Sequence, residues 1–179
     1  MNATTFLIST LFDLYLMVVL LRLWLQLARA DFYNPFSQFV IKATHPIVGP
    51  MRRILPSIGS LDTATLVLAI FIATLKLILL SLIADIPILL PSVLIGAAVN
   101  VVGEVFQLLF WVLLIRAILS WFSQGYNPVE MVLGQLTEPL LAPIRRIIPP
   151  IGGLDLSIVV LLIALQFLQI LFQDIFRGF

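Results

Sequence analysis

The sequence predicts an all-α integral membrane protein with about four transmembrane helices from two parallel tandem repeats, each carrying a short cytoplasmic amphipathic, Pro-Gly link. Three observations lead there. The chain is 61% hydrophobic and 11% charged, with a mean hydropathy of +1.17. Four apolar runs, at 6–27, 63–83, 105–121 and 156–176, come close to or exceed the ~20 residues that cross a hydrocarbon layer of roughly 30 Å at about 1.5 Å per residue. Finally, a thirteen-residue phrase occurs twice: Pro-Met-Arg-Arg-Ile-Leu-Pro-Ser-Ile-Gly-Ser-Leu-Asp at 50–62, and Pro-Ile-Arg-Arg-Ile-Ile-Pro-Pro-Ile-Gly-Gly-Leu-Asp at 143–155.

Nine of those thirteen positions are identical, and the register of 93 residues extends upstream. Asn34-Pro35 matches Asn127-Pro128, His45-Pro46 matches Glu138-Pro139, and Arg22 matches Arg116 with a one-residue gap. Self-similarity on this scale marks a repeat architecture. It divides the chain into a first repeat at 1–83, a connector at 84–103 and a second repeat at 104–179.

The first helix covers 6–27, with Asp13 in its first half and Arg22 near its far end. No basic segment precedes it and no small-residue cleavage site follows, so it reads as a retained span rather than a signal peptide. Asp31-Phe32-Tyr33-Asn34-Pro35 ends it, because a residue before proline avoids the α region. From Phe36, apolar residues recur at Phe39, Val40, Ala43 and Ile47 with helical spacing, which predicts a short helix on the membrane surface, broken by Pro46 and Pro50. Val129, Val132, Leu133, Leu136 and Leu140 repeat that pattern before Pro139 and Pro143. Asp62 and Asp155 stand just ahead of the second and fourth runs and read as helix N-caps. The apolar stretch at 86–99 is too short to span; it either extends the third helix back to about Ser92, the preferred reading, or forms a re-entrant piece hinged at Gly103.

Basic residues set the orientation. Arg29, Lys42, Arg52 and Arg53 lie in the first link and Arg145 and Arg146 in the second, while the N-terminus and 84–104 carry no Lys or Arg. The positive-inside rule puts both links in the cytoplasm and both termini in the periplasm. Two spans per copy make the copies parallel rather than inverted.

Charges inside apolar runs are costly and need an account. Asp13 and Lys76 fall at similar depth on antiparallel helices and are expected to pair. Their repeat counterparts are Gln107 and Gln169, so an ion pair in one half would correspond to an amide pair in the other. These residues, with Glu104, read as a packing clamp or as part of an ion path. Arg22 and Arg116 either snorkel to headgroups or close each hairpin on Asp62 and Asp155. The Arg52-Arg53 and Arg145-Arg146 pairs fix topology, and they also suit anionic lipid headgroups or a partner protein.

No enzyme emerges. Cysteine is absent and histidine single, which excludes thiolate chemistry and Cys-based metal sites. His45 has Glu138 as its counterpart, which speaks against a metal or acid–base role common to both copies. No phosphate loop or nucleophile elbow appears. No cofactor and no nucleic-acid contact are expected.

The doubled Arg-Arg-Ile-x-Pro-x-Ile-Gly-x-Leu-Asp phrase resembles the YggT (YlmG) family of small bacterial and plastid membrane proteins. Asp-Phe-Tyr-Asn-Pro-Phe-Ser-Gln-Phe at 31–39, Phe-Trp-Val-Leu-Leu at 110–114 and Ser-Trp-Phe-Ser-Gln-Gly at 120–125 look like the proteobacterial form. The second copy departs slightly, with Pro149-Pro150 in place of Pro56-Ser57. The resemblance implies an inner-membrane protein linked to osmotic-shock tolerance or, in Gram-positive and plastid relatives, to division or the organisation of membrane complexes. It supplies no catalytic residues. The expected function is a non-enzymatic scaffold or assembly factor. The alternative is an ion channel or transporter component, which at 20.0 kDa requires a homo-oligomer to enclose a pore.

Overall fold

The computed structural model describes residues 2–122, 127–148 and 155–176. The Pro149-Pro150 departure and the end of the 120–125 stretch lie outside them. Six helices follow in order: α1 (Ala3–Leu27), α2 (Pro35–Met51), α3 (Thr63–Ile83), α4 (Leu90–Phe122), α5 (Pro128–Arg145) and α6 (Leu156–Ile175). No β-strand occurs among the described residues beyond one isolated bridge, Ile58 to Leu61. Four helices, α1, α3, α4 and α6, are long and apolar enough to cross a membrane, and the chain is a multi-pass membrane protein. Phe71 on α3 and Phe167 on α6 are exposed, as side chains facing lipid would be.

Each half runs long helix, proline-containing shorter helix, long helix. α1 packs on α3, α3 on α4, and α4 on α6, while α2 and α5 touch each other as well as their own long neighbours. Small residues make the central contact close. Ala64, Ala69 and Ala73 of α3 meet Leu16, Val19 and Leu20 of α1 and Ala97 and Val101 of α4 in one buried cluster. Without a hydrophobic driving force between helices in lipid, such small side chains gain van der Waals contact by letting backbones approach.

Helix starts and stops follow local chemistry. Asn34 caps α2 by accepting from Phe36 N at 2.9 Å, and Asn127 caps α5 by accepting from Val129 N at 3.0 Å. In both, proline fills the first helical position, where its missing N–H is no loss. α1 and α3 end in left-handed residues, Arg29 (φ 51°) and Asp85 (φ 53°). The following amides turn back to helix carbonyls, Ala30 N to Leu25 O and Ile86 N to Ser81 O, each at 3.0 Å. This is the Schellman closure, with no glycine to ease it.

Several boundaries differ from the sequence expectation. α1 begins at Ala3 rather than near Phe6. Pro46 and Pro50 do not break α2, nor Pro139 and Pro143 α5; all four lie inside helices. Pro46 and Pro50 are one turn apart and exposed, so the carbonyls left without a partner face away from the bundle, and the helix regains its bonding at Arg52 N to Val48 O, 3.0 Å. The buried face of α2 is Ser37, Val40, Thr44 and Val48; of the apolar stripe at Phe36, Phe39, Val40, Ala43 and Ile47 only Val40 is buried, and Phe39 and Ile47 stay exposed. α4 is continuous from Leu90, so the stretch after 90 belongs to a long helix and not to a re-entrant piece.

Candidate functional site

Polar side chains gather at two levels. The first lies where the shorter helices return to the long ones. Arg52, the residue after α2, donates from Nε to Asp62 Oδ2 at 3.0 Å and from Nη2 to the same oxygen. Arg145, at the end of α5, repeats this on Asp155 Oδ2 at 2.9 Å and 2.5 Å. Each half is thus latched across its repeated phrase by an Arg–Asp bridge. A guanidinium supplies two N–H groups in one plane, the geometry such a latch needs.

Asp155 also caps α6, accepting from Ser157 N at 3.1 Å. Asp62 holds the N-cap position of α3 without making a capping bond; its Oδ2 takes Thr65 Oγ1 at 2.5 Å instead. Burial works against both carboxylates, but the Arg52 and Thr65 bonds hold Asp62 below the usual carboxylate range, and the Arg145 and Ser157 bonds do the same for Asp155.

Arg22 and Arg116 do not hydrogen-bond to these aspartates; each turns to the shorter helix of its own half. Arg22 is 4% exposed and donates from Nη1 to Thr44 Oγ1 at 2.7 Å, with Ile41 O at 3.4 Å. Arg116 donates from Nη1 to Thr137 Oγ1, the repeat counterpart of Thr44, and from Nη2 to Glu138 Oε2 at 3.2 Å. The aspartates are already taken by nearer arginines, so Arg22 and Arg116 tie α1 to α2 and α4 to α5. Glu138 also receives Arg145 Nη1 on both oxygens at 2.8 Å, and these bonds outweigh its modest burial to keep its pKa low.

Of the four motif arginines, only Arg53 and Arg146 have neither a side-chain hydrogen bond nor an ion pair among the described residues. Both are exposed. Ile54 and Ile147, which follow them, are each 82% exposed.

The second level is inside the spans. Lys76 on α3 donates to Asp13 on α1 at 2.5 Å and reaches Asn100 on α4 at 3.4 Å. Glu104, one turn beyond Asn100, is 7% exposed, and its Oε2 has no partner. Gln107 and Gln169 line one cavity of about 340 Å³ with Asn100 and Glu104, but the expected amide pair between them is not made.

Sequence reasoning missed Thr44, Thr137, Asn100 and the bridging role of Glu138. One signal was present: Arg52 to Asp62 and Arg145 to Asp155 have the same separation in both copies, as Arg22–Thr44 and Arg116–Thr137 nearly do.

The CCB3/YggT family model matches residues 1–83 and 95–176. An uncharacterised Vibrio alginolyticus protein, named for the proC 3′ region, is 58% identical over 178 residues, covering 98% of this chain and 96% of that protein. Escherichia coli K12 YggT, also uncharacterised, is 48% identical over 165 residues, 92% of this chain and 86% of its own. The ycf19 protein of Porphyra purpurea is 31% identical over 86 residues, which are 47% of this chain but 86% of that protein. No solved structure matches the chain.

Proposed function

This chain belongs to the CCB3/YggT family, and we propose that it is a non-enzymatic organiser of the bacterial inner membrane, acting through its two Arg-Ile tips in osmotic tolerance or envelope assembly. The observation that carries this reading is the matched exposure of Arg53-Ile54 and Arg146-Ile147 beside arginines already bound to aspartates. A free guanidinium next to an apolar side chain suits an anionic headgroup or a membrane-protein partner, worth about 1 kcal/mol per basic residue at a lipid surface. In this reading both tips are cytoplasmic and both termini periplasmic, as the distribution of Lys and Arg favours. The halves are parallel copies of one unit, a view that the matched Arg–Asp latches support.

A second reading has one observation in its favour. Asp13, Lys76, Asn100 and Glu104 form a polar cluster inside the spans, with one carboxylate oxygen unpartnered. Ionisable groups at that depth mark ion paths in many membrane proteins. An oligomer conducting ions during osmotic adjustment would use this cluster.

One comparison separates the two. Potassium and sodium flux is measured in proteoliposomes holding the monodisperse protein, alongside osmotic-shock survival of cells carrying variants. The organiser predicts no flux above protein-free vesicles, loss of survival with Arg53→Gln/Arg146→Gln, and normal survival with Lys76→Met. Flux that changes in Lys76→Met or Glu104→Gln would place the function inside the bundle instead.

A further inference from the structure

The two halves differ at one position in a way that changes what two of their arginines hold. In the second half, the Glu138 carboxylate is held between two arginines, by Nη2 of Arg116 and Nη1 of Arg145. Its counterpart in the first half is His45. The corresponding arginines keep their other contacts there, Arg22 to Thr44 and Arg52 to Asp62. The atoms that grip Glu138 correspond to Arg22 Nη2 and Arg52 Nη1, and neither has a hydrogen-bond partner among the described residues. Both arginines line a cavity of about 470 Å³ together with Gln26, His45 and Ser57 among others, with no carboxylate among the described lining residues. Of the two guanidiniums here only Arg52 has a carboxylate, Asp62, while the second half has Glu138 and Asp155 for Arg116 and Arg145, so the first half has one carboxylate fewer.

We propose that this cavity binds an oxyanion, a phosphate or carboxylate group, in the place that Glu138 fills in the second half. The inference is independent of the Arg-Ile tips. Arg22, nine-tenths buried, is pre-oriented by Thr44, and a fixed planar donor of this kind selects oxyanions with two acceptor oxygens. His45 and Ser57 add side-chain hydrogen-bonding groups from the wall. Arg22 is just over one turn from the end of α1 at Leu27, which places the cavity near headgroup depth. The phosphodiester of an anionic phospholipid and free phosphate are the two sources of this chemistry.

The test uses the full chain, delipidated in dodecyl maltoside, with thermal unfolding as the readout. Phosphate is compared with chloride at matched ionic strength, and phosphatidylglycerol with phosphatidylcholine in the micelle. Wild type is expected to rise in Tm with phosphate, phosphatidylglycerol or both; a response to phosphatidylglycerol alone assigns the lipid as the source. His45→Glu supplies the missing carboxylate, so its Tm rises without anion and its apparent affinity falls by about tenfold or more, each factor of ten being about 1.4 kcal/mol. Glu138→Gln opens the equivalent position between Arg116 and Arg145 and is expected to lose stability that phosphate or phosphatidylglycerol restores. Wild type indifferent to both probes overturns the proposal, and so does a response left intact in His45→Glu or no restoration in Glu138→Gln.

Discussion

Lys76 and Asp13 meet at 2.5 Å between α3 and α1, both within helices that span the membrane. An unpaired charge within a span is costly, so each of these two favours the presence of the other. Asp13→Asn, Lys76→Met and the double variant form a thermodynamic cycle. The coupling is expected at about 1–2 kcal/mol, toward the upper end for interhelical polar contacts in bilayers. Unfolding in mixed detergent micelles measures it, and strict additivity of the two single changes would dismiss the pair.

The arginines of each Arg-Arg pair have different jobs, which substitution should separate. Arg52→Lys and Arg145→Lys replace a two-pronged latch with a single ammonium, and a loss of about 1–2 kcal/mol is expected from each. Arg53→Ala and Arg146→Ala touch no latch, so their stability stays within about 0.5 kcal/mol of wild type. Equal destabilisation by both sets would show that the tips are structural after all.

Acid should weaken the protein through its link regions. Asp62, Asp155 and Glu138 all titrate below their ordinary values, because their arginine and hydroxyl or amide partners overcome burial. A depressed folded-state pKa means that the unfolded chain takes up protons first as pH falls. The stabilisation is complete above the unfolded carboxylate values of about 4 and is lost as pH drops through the folded values. A melting series should therefore be flat near neutrality and fall in the acid range, with a shallower fall in Asp155→Asn. An acid fall of unchanged steepness in that variant would remove Asp155 from the account.

The left-handed Asp85 at the end of α3 offers a gain. A non-glycine residue at φ 53° carries a steric cost of about 1–2 kcal/mol that glycine avoids. Asp85→Gly keeps the Ile86 N to Ser81 O closure and is expected to stabilise by about 1 kcal/mol. A lower melting temperature for this variant would mean that the aspartate side chain does more at that turn than the backbone requires.

Much of this arrangement was legible in the sequence, and the exceptions have definite causes. Hydropathy alone placed the four spans, since lipid demands unbroken apolar length. Asp13 and Lys76 could be matched because depth along two antiparallel helices is simple counting. The prolines misled: a breaker rule takes no account of which face a proline occupies, and Pro46 faces outward where a missing bond is tolerated. The arginine partners were misassigned for a related reason. Arg22 and Asp62 stand at a similar level, but the turn at 52–62 brings Arg52 to the carboxylate first, and the shape of a turn is not contained in depth. The Gln107–Gln169 bond failed because matching positions in two copies do not enforce matching contacts: Lys76 reaches Asp13, whereas Gln107 and Gln169 line one cavity without a bond between them.

Asn34 makes two bonds at once. Its Oδ1 accepts from Phe36 N, and its Nδ2 donates to Pro128 O at 2.8 Å. That carbonyl is made 94 residues later, after the ribosome has delivered three of the four spans. The opening turn of α2 is therefore completed in two acts during biosynthesis, a local one at once and a distant one only when α5 emerges. A chain ending before Pro128 therefore has the local bond of Asn34 and lacks the distant one, so this capping residue also records whether the two halves have met.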